Sequence, residues 1–459
     1  MSASAVPGEF WTENFPDDRQ PGLFSAPDGE DIEVSLDGAL RAAPTKGPRP
    51  VKLTKGDVAS HILAGASGAV SRFRPVSFYG DLQTGEMVSV FEANNHGSPG
   101  AGARYKAHIG VIGAQVTPDQ LYTAVRFRLD HPYWLQHLAD SESGTVADDQ
   151  SILRVEAAAD GNWLTYESVV PATLRQLEIR VVSGCLALVE LAMRPRGELV
   201  VRDMQVRVDP QGPWLVVKGA AVTAEPANPR LDTLLPPGEL TVSRFARWIE
   251  LNDRFDGLAW AVARPIQGSV QAQVQVMTSL VEGLHRRLPE TFEQECFPDA
   301  SGGALDRVGK AAATEAQKQA SAETALDPAA VYKLVRSTLG HINQVSYRDR
   351  AEDIVQKVAA AVPEIADIVP GLAGHMVKTR DSFAHQLPQD AKDPLEDRVR
   401  RWIVIAKVTP WLLRALLLLE TGIEPSIVRQ KFLESQSFAF DRVNAELRVR
   451  QLGWEESAR

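Results

Sequence analysis

The sequence predicts an α+β protein in which a β-rich, sandwich-like N-terminal domain is followed by an all-α helical bundle. Two observations carry this prediction. Segments in the first half, such as Met87–Phe91 and Thr123–Leu129, alternate apolar and polar residues, as strands with one buried face do. In the second half, apolar residues recur every three or four positions, as in Val274, Met277 and Val281, which is the period of a helix.

The change of period places the domain boundary. Alternation ends by about residue 225 and helical spacing begins by about 240, so we predict a β-rich domain over 1–240 and a helical domain over 241–459. A chain of 459 residues, 44% of them apolar, can supply a hydrophobic core to each domain. Ala, Gln, Lys, Glu, Gly and Ser dominate residues 299–326, which predicts a polar insert outside the core.

Within the first domain, turn residues separate many short strands. Ile32–Leu36 alternates, and Gly80, Gly97–Gly100 and Asp160-Gly161 mark turns. Strands at such short spacing favour a sandwich or a closed sheet over a βαβ fold. Leu177–Val181 also alternates, which predicts a further strand.

Within the second domain, prolines delimit the helices. Asp327-Pro328, Asp393-Pro394 and Glu424-Pro425 each place a proline after an acidic residue, which is typical of a helix start. The most apolar run, Trp402–Leu419, approaches the length that spans a membrane. Charged residues and a proline interrupt this run, so we predict a buried helix and no membrane contact.

Composition narrows the function classes and the compartment. A net charge of −10 and a pI near 5.5 argue against broad, charge-driven nucleic-acid binding, although they allow a small basic site. The two cysteines, Cys185 and Cys296, are far apart, and the N-terminus lacks a basic-then-apolar signal pattern. These features predict a protein of the reducing cytoplasm.

One short stretch concentrates groups that could act together. Arg380, Asp381 and His385 fall in a helix-compatible segment. Arg380 offers a planar fork of donors to a phosphate, and His385 can exchange a proton near neutral pH. Asp381 lies four residues before His385, so on a helix the two share a face. Because no His, Cys, Asp and Glu residues nearby have the spacing of metal ligands, we expect no metal and no other cofactor.

The Arg-x4-His spacing is weak evidence by itself. With 49 Lys+Arg and 9 His, a basic residue five positions before a His is expected about once by chance. Two further matches occur, Arg126 with His131 at a predicted strand end and Arg336 with His341 on a predicted helix. Gly340 weakens that helix, and neither match has the acidic neighbour of the third.

The residues around the third match carry a family resemblance. Thr379-Arg380-Asp381 and Ala384-His385 resemble the Arg-polar-x-x-x-His motif of HEPN ribonucleases, with Asp381 where that motif usually has Asn. The whole chain resembles the ApeA family of bacterial anti-phage proteins, which join a β-rich N-terminal domain to a C-terminal HEPN domain. The resemblance implies an anti-phage, metal-independent endoribonuclease in which Arg380, Asp381 and His385 are the catalytic residues.

The same resemblance implies partners. These are RNA, including transfer RNA, a second copy bound through the helical domain, and a phage-derived trigger sensed by the β-rich domain. Arg380 and His385 point about 140° apart on one helix, so a second copy would supply the missing side of a phosphate clamp. Glu282 and His285, on a preceding helix, could approach this site in three dimensions, but we expect them to lie on a solvated face.

Two other interpretations stay open. The helical domain could be a non-catalytic HEPN bundle that binds a nucleotide or a partner beside a ligand-recognising β-domain. Alternatively, the protein could be a carbohydrate- or peptide-binding β-sandwich with a helical dimerisation tail. In both cases, replacement of Arg380 or His385 would leave toxicity and binding largely unchanged, whereas the enzyme interpretation requires both residues.

Overall fold

The computed structural model describes residues 5–41, 75–96, 102–129, 138, 142–159, 161–194, 201–219, 222, 232–264, 268–323, 325–384 and 394–454. The chain divides into two compact units, residues 1–253 and 254–459. Strands dominate the first unit and helices form the second, which confirms the predicted α+β fold class. The predicted boundary at residue 240 lies just before the helix Val242–Phe255, most of which belongs to the first unit.

The first unit is built on antiparallel strands. In chain order the described strands are β1 (Val6–Trp11), β2 (Gln20–Ser25), β3 (Ile32–Leu36), β4 (Val76–Leu82), β5 (Met87–Asn95), β6 (Ala103–Ala107), β7 (Ile109–Ile112), β8 (Leu121–Leu129), β9 (Ser143–Thr145), β10 (Ile152–Ala158), β11 (Gly161–Thr173), β12 (Met193–Arg194), β13 (Val201–Arg207), β14 (Leu215–Gly219) and β15 (Asp232–Thr233).

A single 13-stranded sheet contains all of these strands except β12 and β15, which pair with each other. Strands β4, β1, β2, β3, β6 and β5 close into a ring, because β4 pairs with both β1 and β5. β5 also pairs with β7, and from there the sheet continues through β14, β13, β8, β11 and β10 to β9. The ring is therefore the closed-sheet form of the two arrangements that strand spacing predicted.

Aliphatic and aromatic side chains fill the interior of the strand ring. Phe10 and Phe78 are fully buried and meet edge to face at 6.2 Å, and Tyr105 lies 5.3 Å from Phe78. Gly80 lies within β4 instead of at the predicted turn, beneath the Phe10 ring. A Cβ atom at Gly80 would stand 2.5 Å from Cδ1 of Phe10, so only glycine leaves room for the phenyl group of Phe10.

Helices also belong to the first unit. They are α1 (Leu174–Leu177), α2 (Ser183–Leu191) and α3 (Val242–Phe255), and the π-helical turn Glu178–Val182 joins α1 to α2. The strand predicted at Leu177–Val181 is therefore wrong. Thr173 and Gln176 form a capping box that starts a helix. The buried Leu174, Leu177 and Val181 follow helical spacing, whereas Ile179, which a strand would bury with Leu177 and Val181, is exposed.

A helix packs on the face of β9, the last strand of the sheet. β9 pairs only with β10 among the described strands. A Cβ atom at Gly144 in β9 would stand 3.1 Å from Cβ of Ala246 in α3, so the strand backbone and the helix are in direct contact. The Val242 amide at the start of α3 also donates to Glu142 Oε1, at 2.7 Å.

The second unit is helical throughout its described residues. Its helices are α4 (Leu258–Ala263), α5 (Val270–Arg286), α6 (Gly302–Ala320), α7 (Pro328–Leu339), α8 (Tyr347–Ala361), α9 (Pro363–Asp367), α10 (Leu372–Ala384), α11 (Leu395–Glu420), α12 (Pro425–Glu434) and α13 (Gln436–Gln451).

Helix α11 is the central element of this unit. It packs against α5 and α13, and the side chains from Leu412 to Leu418 are buried almost without interruption. Among the described residues, α11 alone has the length and apolar content that could cross a membrane, but 67% of its most apolar window is buried within the protein. Such burial is typical of a core helix.

The predicted polar insert contains α6, which pairs with α7. Small residues mediate this contact, since Gly309, Ala313 and Ala320 are the buried residues of α6. No residue of α7 is fully buried, and Leu334 is 67% exposed. The insert therefore holds one helix, mostly exposed, that packs against the equally exposed α7.

Candidate active site

Helix α10 carries Arg380 and Asp381. It follows the Pro370-Gly371 turn, in which Gly371 has a positive φ of 70°, and its buried Leu372 and Met376 attach it to the core. The helix is described as far as Ala384. His385 lies outside the described residues, so its position relative to Arg380 remains a prediction.

Three groups hold the Arg380 guanidinium. Nη2 donates to Oε2 of Glu282 in α5 at 3.2 Å, and Nη1 donates to Oδ1 of Asp381 at 3.3 Å. The guanidinium carbon also lies 5.0 Å from the ring centre of Tyr347 in α8, a cation–π contact. The side chain is 31% exposed, so solvent still reaches it.

Glu282 connects Arg380 to a second arginine. Nη2 and Nε of Arg286 donate to Oε1 of Glu282, at 2.8 and 3.2 Å. Partial burial opposes ionisation of this carboxyl, but the hydrogen bond from Arg286 and the charges of Arg286 and Arg380 outweigh it, so the pKa of Glu282 is lowered. Two guanidiniums from two helices therefore share one carboxylate, and Glu282 lies at the site, partly exposed, which is the alternative to a fully solvated face.

Tyr347 is fixed at the other side of the guanidinium. It is the first residue of α8, where Ser346 and Asp349 form a capping box. Its hydroxyl donates to the Thr278 carbonyl oxygen in α5 at 3.0 Å, and burial strongly raises its pKa. Helices α5, α8 and α10 thus meet around Arg380.

The comparisons with known proteins bear on these helices. Residues 276–426 match the family model described as Apea-like HEPN. The C-terminal region contains an Apea-like HEPN domain. The matched range includes Glu282, Tyr347 and Arg380, and it supports a domain of the HEPN-type anti-phage nuclease family. Comparison with curated proteins gave no match, and neither did comparison with solved structures.

A buried polar cluster braces the HEPN domain one helical turn beyond Glu282. His285 is fully buried, contrary to the expected solvated face, and stacks on Phe292 at 4.6 Å. Its Nε2 lies 2.8 Å from Oδ2 of Asp353, and its Nδ1 lies 3.0 Å from Nη1 of Arg350. An arginine can only donate, so Nδ1 accepts and the ring proton on Nε2 points to Asp353.

The charge states in this cluster follow from burial. Burial lowers the pKa of His285 and outweighs the opposing effect of Asp353, so the ring is neutral near pH 7. Arg350 is 1% exposed and also donates to Oε1 of Gln294 at 2.9 Å and to the Val345 carbonyl oxygen at 3.1 Å. These bonds join α8 to α5 and fix the two helices that hold Arg380.

A second histidine lies on the motif helix itself. His375 stacks on Trp454 near the end of the chain, with ring centres 3.5 Å apart. Burial, together with the charges of Lys378 and Arg401, lowers its pKa to about 4. His375 is therefore neutral near pH 7 and attaches α10 to the C-terminal segment.

The other two Arg-x4-His matches have different surroundings. Arg126 donates to Gln205 in the β-rich unit, and His131 lies outside the described residues. Arg336 in α7 pairs with Asp306 in α6, whereas His341 follows the end of α7 and is exposed. No group of three His, Cys, Asp or Glu side chains in the described part of the chain is arranged to hold a metal ion.

Proposed function

We propose that the protein is an anti-phage endoribonuclease whose Apea-like HEPN domain cuts RNA without a metal ion. The observation that carries this proposal is the set of contacts around the Arg380 guanidinium. In the free protein, a partly exposed guanidinium on the motif helix is oriented by a carboxylate and an aromatic ring from two other helices. Such an oriented cation is what stabilisation of a developing negative charge on phosphate requires.

In this mechanism His385 takes the proton of a ribose 2′-hydroxyl as that oxygen attacks the adjacent phosphorus. Arg380 stabilises the negative charge on the phosphate oxygens while the bond to the 5′-oxygen breaks. The leaving 5′-oxygen receives a proton from a histidine acting as acid. The products are a 2′,3′-cyclic phosphate and a 5′-hydroxyl, and Asp381 orients the histidine or its partner helix.

On an ideal helix the two proposed catalytic residues would point about 140° apart, so one copy of the motif would clamp a phosphate poorly. We propose a homodimer through the helical domain, in which two copies of Arg380 and His385 share one cleft. The β-rich region would sense a phage-derived signal in the cytoplasm and restrain cleavage until the signal binds. Transfer RNA is among the expected substrates.

The test is incubation of the purified full chain with total cellular RNA and with the corresponding DNA, with and without EDTA. We expect the protein to cleave RNA and not DNA. EDTA should leave this cleavage unchanged, and Arg380→Ala or His385→Ala should abolish it. His341→Ala, at an exposed histidine of another Arg-x4-His match, should cut normally. Loss of cleavage in EDTA would overturn the mechanism, and a folded protein that binds RNA without cutting it would favour the non-catalytic alternative.

A further inference from the structure

We propose that the Glu282 carboxylate occupies the position of an RNA phosphate between two guanidiniums, and that Arg286 is a second phosphate-binding residue of this site. RNA would bind by displacing Glu282 from Arg286 and Arg380. This inference rests on the proposed function, because it takes RNA as the ligand of the Arg380 site.

The geometry around Glu282 is that of a two-arginine clamp. Arg286 donates from Nη2 and Nε to one carboxylate oxygen, and Arg380 donates from Nη2 to the other. Two oxygens held by guanidiniums from two directions are also what a phosphodiester presents. Arg286 is 46% exposed and Arg380 is 31% exposed, so a ligand from solvent can reach both.

The charges at this site explain why the free protein has a carboxylate, that of Glu282, between the two arginines. Two guanidiniums side by side repel one another, and Glu282 neutralises that repulsion in the free protein. An RNA phosphate carries the same unit charge as the carboxylate, so the exchange leaves the local charge unchanged. The Glu282 side chain is 25% exposed and can turn to solvent when displaced.

The neighbouring residue provides a matched comparison. Arg287 directly follows Arg286, but Nη1 of Arg287 donates to the Gly283 carbonyl oxygen at 3.4 Å. Nη2 of Arg287 lies 3.7 Å from Oδ2 of Asp256, a partner at the turn before α4. Arg287 has a similar exposed fraction, 34%, and the same charge, but it faces a different part of the domain.

The experiment measures binding of the full chain to a fluorescent single-stranded RNA whose 2′-hydroxyls are methylated, so that cleavage by the proposed chemistry cannot occur. Arg286→Ala should weaken binding about tenfold and reduce the salt dependence by about one phosphate contact. Arg286→Lys should restore part of the affinity. Arg287→Ala should match the wild type.

Glu282→Gln separates a placeholder from a positioning group. It keeps one oxygen, which can accept from one of the two arginines, and replaces the other oxygen with an NH2 group that cannot accept. The negative charge is removed as well, so tighter RNA binding is expected, by a few-fold. Weaker binding by Glu282→Gln, or equal affinity and salt dependence of Arg286→Ala and Arg287→Ala, would overturn the proposal. Circular dichroism of each variant excludes unfolding as the cause.

Cleavage of unmodified RNA is measured in parallel. A wild type that binds the methylated RNA through Arg286 but does not cut unmodified RNA would overturn the proposed ribonuclease and support the clamp. A wild type that cuts RNA, with Arg286→Ala and Arg287→Ala indistinguishable in KM and kcat, would support the ribonuclease and overturn the clamp.

Discussion

At the residue scale, the ring of Tyr347 limits how the Arg380 guanidinium can lie. The ring supports one side of the guanidinium, and its hydroxyl is tied to Thr278, so the ring itself cannot turn freely. Because the guanidinium is planar, this contact fixes the orientation of its plane and so the directions of its remaining N–H groups. An arginine on an exposed helix without such a support would sample many rotamers and lose entropy on binding.

We therefore predict that the face of Tyr347 matters more than its hydroxyl. Tyr347→Leu should lower kcat for RNA cleavage about tenfold, because the cation–π contact is lost. Tyr347→Phe keeps the ring and should retain most of the activity. The measurement is steady-state cleavage of a defined RNA. Equal activity of the leucine and phenylalanine variants would contradict this role.

A second residue-scale prediction concerns His375. Its pKa of about 4 in the folded protein lies below its ordinary value of 6.5, so the folded protein binds this proton less readily than the unfolded chain does. The contribution of the neutral His375 ring to the free energy of unfolding is therefore complete above pH 6.5, and it is lost as the pH falls toward 4.

His375→Phe should keep the stack on Trp454 and remove the titrating group. The free energy of unfolding is measured with urea at about pH 7 and about pH 4.5. The decrease between these two pH values should be smaller in the variant than in the wild type, by on the order of 2 kcal/mol. His341→Phe, at an exposed histidine, serves as the control. Parallel pH profiles of the wild type and His375→Phe would rule out the assignment.

The sequence identifies some of these residues and not others. Arg380 stands out because a motif and an acidic neighbour mark it locally. Glu282 and Tyr347 carry no such mark, because their contacts with Arg380 arise from the packing of three helices far apart in sequence. His285 has the pattern of a helix face, and only the partners on α8 show that this face is buried.

At the scale of elements, α5 and α8 depend on a buried arginine. Arg350 satisfies acceptors on Val345, His285 and Gln294, and nearly all of its surface is removed from water. Removal of a buried charged group leaves its partners without hydrogen bonds and opens a cavity. The pairing of the two helices thus rests on a polar contact as well as on apolar packing.

Arg350→Ala should therefore lower the free energy of unfolding by about 3 kcal/mol or more. Arg348→Ala, two residues earlier on α8 with its side chain 54% exposed, should change it by less than about 0.5 kcal/mol. Thermal or urea unfolding of both variants provides the measurement. Similar stability of the two variants would show that the buried contacts contribute little.

Local pattern predicts the long elements better than the short ones. Helix α11 is clear from the apolar run at Trp402–Leu419, which no strand could accommodate at that length. Leu177–Val181 is too short for its pattern to decide, since apolar residues at these positions satisfy both periods. The capping box at Thr173 and Gln176 is the sequence signal that would have favoured a helix.

At the scale of the whole molecule, the proposed roles of the two regions predict when cleavage occurs. Cells that produce the full chain should grow normally and show RNA cleavage only after phage infection. The shift from inactive to active requires a ligand with several kcal/mol of preference for the active state. Cells producing His385→Ala at the same level should show no cleavage.

RNA sequencing of infected and uninfected cultures measures this difference. Equal cleavage before and after infection would contradict restraint by the β-rich region. Growth arrest that persists with His385→Ala would place the toxicity outside the proposed site.

Periodicity predicts most of the strands and helices in their order along the chain. It does not predict the pairings that close the strand ring, because β1 pairs with β4 and β3 pairs with β6 over long sequence separations.

The closed strand ring and the short length of β9 have a consequence for behaviour at high concentration. Exposed strand edges recruit other chains into shared sheets, which is a common start of aggregation. Among the described strands of the large sheet, all except β9 have neighbours on both sides, and β9 is short and lies against α3. The described part of this sheet therefore offers no long open strand edge as a template for fibres when the protein accumulates.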